Sequence, residues 1–352
     1  MTNQSEIFNS TPVFPELLDR LLAMPKIELH VHLEGATDVA TVWELARRNN
    51  VTLPASTLEE WQAMYTFRDF NHFAEIYVLA TQCMQTSADF TYMTERFLEQ
   101  QARHNIKYSE VFLSASFMLD KFPHDEVIAA LIEGARRGEE KFGTHLRFIP
   151  DIARHEPETR FGVLDFVLKG QEQGIFIGLG LGGIEVGYPP ELFTDVFTEA
   201  QRQGLHVVVH AGETVGPHSI WGAIRSLQAE RIGHGVRAVE DQLLVEHLAQ
   251  TQIPLEVSPY SNYRLKVVPL DRPHPIRALM DQGVYVTVNS DDPPMFSTDL
   301  TSEYALLARQ GFSWDELWQL NLNGLEASFL SDEAKAVYRA EWQAFVLLQH
   351  EN

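Results

Sequence analysis

Ile27-Glu28-Leu29-His30-Val31-His32-Leu33-Glu34 alternates apolar and ionisable residues without a break. Side chains of a β-strand point to opposite faces with a period of two. Read as a strand, the segment puts Ile27, Leu29, Val31 and Leu33 on one face and Glu28, His30 and His32 on the other. Two settings accommodate this pattern. In a half-exposed antiparallel strand the ionisable face meets water. In a parallel strand of a barrel both faces are buried, and three ionisable groups there are costly unless they are paired or hold a cation. The rest of the chain decides between the two.

Moving outward, seven more short apolar runs follow. Strands are expected at 27–32, 106–113, 145–150, 175–181, 206–210, 231–234, 253–258 and 284–289. Stretches with helical periodicity, such as 191–203 and 241–250, lie between most of them. Repeated β-then-α units argue for a parallel sheet. Eight of them in 352 residues argue for an α/β fold of the closed (β/α)8 type, a TIM barrel, in one domain covering 1–352. The long interval after the first strand carries extra helices, including 67–82, and is expected to form a lid or pocket wall. Residues 1–20 read as an N-terminal extension and 312–348 as closing helices.

Composition narrows the partners. Hydrophobic residues make up 45% of the chain and charged residues 22%, as expected of a globular protein with a sizeable core. Lys and Arg number 27 against 49 Asp and Glu, a net charge of −22. Such a surface repels phosphate backbones and acidic membranes, so neither nucleic acid nor a membrane is expected as a partner. Cys83 is the one cysteine, which excludes an intrachain disulfide and a cysteine-based zinc site. The first residues lack a basic start followed by an apolar run, and no run approaches the length of a membrane span. A cytoplasmic location is the expectation.

Three more motifs fall at expected strand ends. His210-Ala211-Gly212-Glu213 ends a β-branched run with a histidine, a glycine turn and a glutamate. Neutral imidazole is a good metal ligand, and a glutamate beside it can carry protons. His234 stands between Gly233 and Gly235, where backbone can approach a ligand. Asn289-Ser290-Asp291-Asp292-Pro293 places two adjacent carboxylates that repel unless a cation or proton offsets them. Singly, each has an ordinary reading as a capped turn, a loop histidine or an Asp-Pro turn. Together with His30 and His32 they mark the C-terminal ends of expected strands one, five, six and eight, where TIM barrels place their chemistry.

The sequence resembles the adenosine deaminase family of the amidohydrolase superfamily. The resemblance rests on PKIELHVHLEGA from Pro25, HAGET from His210, SIWGAI from Ser219 and AERIGHGV through Val236. PLEVSPYSN from Pro254 and VTVNSDDPPMF from Val286 extend it over nearly the whole chain. It implies one zinc ion per chain held by His30, His32, His210 and Asp291, although such a donor set also suits iron or manganese. It further implies that Glu213 donates a proton to purine N1 and that His234 orients the attacking hydroxide. Asp292 would bind N7 and the backbone of Gly183 would bind N3. The run 175–181 contains no lysine of the kind that bridges two metals, which favours a single ion. Gly178-Leu179-Gly180-Leu181-Gly182-Gly183 matches GxGxxG formally, but it runs into Ile184-Glu185-Val186 rather than a helix, so it reads as a purine approach and not a dinucleotide fingerprint.

The main expectation is hydrolytic deamination of adenosine or 2′-deoxyadenosine. Glu34 pulls away from it. Adenosine deaminases often have Asp there, in contact with ribose, whereas Glu is found in similar enzymes acting on adenine or modified adenosines. The alternative is therefore free adenine, an N6-substituted adenine or a modified adenosine such as 6-aminodeoxyfutalosine. From other classes come a metal-keeping, non-catalytic purine-binding barrel and a hydrolase of non-purine amides. Phe67, Phe70 and Phe73 share a helical face that resembles the family's apolar pocket wall, with core packing the other reading for Phe73. Arg154 and His155 fit the pocket or the surface equally. Apart from His155, the histidines outside the four motif positions have no motif support and read as ordinary.

Overall fold

The computed structural model describes residues 15–67 and 70–350. Eight parallel strands run in sequence order: β1 (Lys26–His32), β2 (Ile106–Leu113), β3 (His145–Ala153), β4 (Gly178–Gly182), β5 (His206–Ala211), β6 (Arg231–His234), β7 (Leu255–Val257) and β8 (Val286–Val288). Val31 bridges Asp291 in parallel, and the backbone bonds His32 N–H to Asp291 O (3.0 Å) and Asp291 N–H to His30 O (3.1 Å) bring the last strand back to the first. The expected barrel is present. Strands β4, β7 and β8 are shorter than expected. Ahead of β4 the chain touches β3 at Phe176 only as an isolated bridge; it pairs regularly with β5 from Gly178 and with β3 from Gly180.

The first strand departs from strict alternation. Its pairing with β2 slips between Glu28 and Val31. Glu28 consequently leaves the face of the two histidines. Its carboxylate accepts from Gln101 Nε2 (2.7 Å), on the helix Ser87–Arg103, and from Ser290 N (3.0 Å) and Oγ (2.5 Å). His30 instead meets Glu256, on β7. A bulge of this kind re-aims side chains at the cost of one ladder contact. These contacts set Glu28 apart from the ionisable cluster, and burial pushes its carboxyl up to about 7.

Inside the barrel the side chains stack in layers. Near the N-terminal ends, Arg231 pairs with Glu110 and Glu256. Phe112, Ile149 and Val208 fill the middle. Phe329 closes the lower end, stacked on His206 at 3.7 Å. The chain between β1 and β2 carries helices Val39–Arg48, Leu58–Ala63, Phe70–Gln82 and Ser87–Arg103, as expected of the long interval. Helices Trp314–Ala327 and Asp332–His350 pack on each other, and the first packs on β1 and β8. The first opens with a reciprocal cap in which Ser313 and Glu316 each accept the other's backbone N–H. Among the described residues, no helix is long and apolar enough to cross a membrane.

Candidate metal centre and purine site

The seam between β8 and β1 builds the first part of the site. Asn289 Oδ1 accepts from Leu29 N–H (2.9 Å) and His30 N–H (3.1 Å), fixing the two strand ends together. Asp291 follows in left-handed backbone, φ +64°, and His234 ends β6 at φ +62°. Non-glycine residues persist there only where surrounding contacts over-determine them, at a cost of about 1–3 kcal/mol each. The strain aims both side chains at the barrel mouth.

His30, His32, His210 and Asp291 each offer one ligand atom, and these atoms lie within 4.8 Å of one another. The outer ring nitrogens are already engaged. His30 Nδ1 lies 2.8 Å from Glu256 Oε2, and His210 Nδ1 donates to the Leu181 carbonyl (3.1 Å). Each of these bonds uses the ring's one proton, so both Nε2 atoms face inward as bare lone pairs. His30 Nε2 is buried and has no hydrogen-bond partner. His32 Nε2 faces His210 Nε2 at 3.1 Å, and Asp291 Oδ1 lies 3.4 Å from His32 Nε2. Lone pairs converging in this way, beside a carboxylate, fit a divalent cation. The donors demanded by the metal reading are thus brought together.

Glu213 and His234 complete the group, with Glu213 Oε1 3.9 Å from His234 Nε2. Burial, then the charges of Asp291 and Glu185, raises the Glu213 carboxyl well above the usual range, which favours a protonated acid. Asp292 is raised for the same first reason, followed by its neighbour Asp291. Its approach depends on Gly35, where a Cβ would lie 1.6 Å from Asp292 Oδ1.

A cavity of about 850 Å3, including its open mouth, leads to these groups. His32, His210, Glu213, His234, Asp291 and Asp292 line its floor, and Phe73, Tyr77, Phe117, Ile184 and Leu265 line its sides. Gly183 is on the wall at φ +80°, against His155. Phe73 therefore belongs to the wall itself. Phe67 packs behind it, edge-on at 5.5 Å, and is not on the lining; the Phe70 side chain lies outside the described residues. Glu34 is also set back. Its carboxylate accepts from Ser114 N–H (3.0 Å) and from the Tyr77 hydroxyl (3.4 Å), and those two residues face the cavity in front of it. Burial pushes its carboxyl up to about 7.

Several supporting residues escape the motif reading. Asp151, on β3, lines the cavity and is pushed up to about 6 by burial. Glu185 accepts from the backbone N–H groups of Gly212 (2.7 Å), Thr214 (2.9 Å) and Val215 (2.7 Å), so it shapes the turn that carries Glu213. Arg154 is fully buried, reaching the carbonyls of His210 and Tyr188, while His155 lines the cavity. A glutamate two residues past a glycine run, and an arginine just past a strand end, are the only signals the sequence offers for these two.

Comparisons with known proteins agree with this geometry. The adenosine deaminase family profile matches residues 25–342. The chain is 37% identical to an adenine deaminase of Geotalea uraniireducens over 94% of each chain. It is 38% identical to an aminodeoxyfutalosine deaminase of Streptomyces coelicolor, over 95% of this chain and 89% of that one. An amidohydrolase of Burkholderia ambifaria, solved with bound zinc, superposes with a TM-score of 0.88 at 26% identity, covering 97% of this chain and 96% of its own. The names of these relatives match the alternative expectation, adenine or a modified adenosine, better than the main one. The chain belongs to the adenosine deaminase family, hydrolases of carbon–nitrogen bonds in cyclic amidines.

Proposed function

We propose that this protein hydrolyses the 6-amino group of a purine, acting on free adenine or a modified adenosine ahead of adenosine itself. The carrying observation is Glu213: a carboxyl only 12% exposed, raised in pKa, beside a three-histidine, one-aspartate cluster at the floor of a cavity. A non-catalytic purine-binding barrel has no need of such an acid.

His30, His32, His210 and Asp291 would hold one zinc ion, for which nitrogen and carboxylate donors are well suited. A divalent cation there acidifies water and so supplies a nucleophile near neutral pH. The chain's own groups do the remainder. Glu213 protonates N1, which draws electrons from C6. Asp292, whose carboxyl burial raises well above the usual range, donates in its protonated form to N7, a lone-pair acceptor. The Gly183 N–H meets N3, and its missing side chain leaves the purine room beside His155. Water adds at C6, ammonia leaves, and the 6-oxopurine remains.

Substrate choice is assigned to the cluster of Glu34, Tyr77 and Ser114. The extra methylene of Glu34 lets its carboxylate reach the Ser114 amide, so the Tyr77 hydroxyl and Ser114 present the wall where a sugar would sit. Adenine, adenosine, 2′-deoxyadenosine, N6-methyladenine and 6-aminodeoxyfutalosine, offered to zinc-loaded protein and followed by ultraviolet absorbance, provide the test. Adenine or 6-aminodeoxyfutalosine is expected to show the highest kcat/KM. Release of ammonia from none of them would sink the deaminase reading, and a clear preference for adenosine would sink the substrate assignment.

A further inference from the structure

His274 carries no motif and reads from the sequence as an ordinary histidine. It is buried, and it anchors a chain of three hydrogen bonds that ends on His234. Ile276 N–H donates to His274 Nδ1 (3.2 Å). His274 Nε2 meets Asn262 Oδ1 (3.0 Å). Asn262 Nδ2 meets His234 Nδ1 (3.3 Å). All three side chains are buried.

The chain has a direction, and a backbone amide sets it. An N–H group only donates, so His274 Nδ1 must be bare. A ring has to keep one proton, so His274 carries it on Nε2; burial keeps the ring neutral, with its pKa brought down to about 3. Nε2–H donates, so the Asn262 atom facing it is the oxygen. The usual ambiguity of an amide flip is therefore removed. The Asn262 NH2 group then points at His234 Nδ1, which must accept. A proton on that nitrogen would face the amide donor to donor. His234 is left with its proton on Nε2, the atom turned toward Glu213 and the cavity floor.

We infer that Asn262 and His274 are positioning residues that hold His234 as its Nε2–H tautomer, so that His234 meets the reacting oxygen as a hydrogen-bond donor and not as a base. The identity of that oxygen rests on the deaminase reading; the tautomer does not. With Nε2 protonated and Nδ1 occupied, His234 has no site for another proton, and proton transfer falls to the carboxyl groups of the floor.

The test is long-range 1H–15N NMR of zinc-saturated protein labelled with 15N-histidine, together with kinetics of two variants. The wild-type spectrum is expected to show His234 with a bare Nδ1 and a protonated Nε2. Asn262→Asp, which accepts only, is expected to move the proton to Nδ1. It should lower kcat by about 100-fold, with KM and zinc content little changed. His274→Gln, whose amide can accept from Ile276 and donate to Asn262, is expected to keep the wild-type tautomer and most of the turnover. A bare Nε2 on His234 in the wild type overturns the inference, and so does an Asn262→Asp protein with unchanged His234 signals. The wild-type spectrum decides even if a variant does not fold, and it stands apart from whether any purine is turned over.

Discussion

The two ends of the barrel both bury charge and deal with it in opposite ways. Toward the N-terminal end, the Arg231 guanidinium sits between two carboxylates, 2.6 Å from Glu110 Oε2 and 2.6 Å from Glu256 Oε1, and lies 3.8 Å over the Phe329 ring. Its charge is answered inside the protein. At the C-terminal end, imidazole lone pairs and the carboxyls of Asp151, Glu213, Asp291 and Asp292 converge, and among the described residues no lysine or arginine lines the cavity. The difference separates a layer that serves stability from one that serves binding and chemistry. Glu256 joins the two, with one oxygen on Arg231 and the other on His30.

Four substitutions probe this contrast, in decreasing order of expected effect. Glu213→Gln removes the acid at the upper end alone. Turnover should fall on the order of 10²- to 10⁴-fold, while zinc content and melting temperature stay as they were; full activity would remove Glu213 from the mechanism. Arg231→Met leaves Glu110 and Glu256 buried without their cation. Chemical denaturation should register a loss of about 3–5 kcal/mol, and an unchanged midpoint would mean the lower layer is not held by charge pairing. Glu256→Gln touches both ends and loosens the orientation of His30. Zinc affinity, read by competition with a chelator, should weaken by about 10- to 100-fold; an unaltered affinity would place Glu256 in the stability layer only. Glu34→Asp shortens the carboxylate behind the cavity wall. The ratio of kcat/KM for adenine to that for adenosine should move toward adenosine by about tenfold, and a ratio that does not move would take Glu34 out of substrate choice.

Much of the upper end is legible in the sequence because its residues sit next to strand ends. His30, His32, His210, Glu213, His234 and Asp291 each follow or end an apolar run, and period-two alternation places most of them. The fold is legible for the same reason, since eight such runs with helices between them have few other solutions. Glu28 is misplaced because a register slip in β1 leaves no mark in the residue pattern. Phe67 and Phe73 trade positions because the helix begins at Phe70 and not at Phe67, so Phe67 does not share its face. Glu256 and Asn262 lie inside a family-like motif, yet their roles depend on partners 226 and 28 residues away in sequence. His274 and Glu185 are legible only through what they hydrogen-bond. Contacts of that kind are settled by tertiary packing, which local pattern does not encode.

The claim on which the rest depends is that the upper cluster is completed by a cation and the lower one is not. Elemental analysis of the purified protein, before and after dialysis against zinc, measures it directly, with His210→Ala and Glu110→Gln proteins alongside. About one divalent ion per chain is expected in the wild type and in folded Glu110→Gln protein, with little retained by folded His210→Ala protein. Folded wild-type protein that takes up no zinc, or an ion that survives loss of His210 unchanged, would contradict the account.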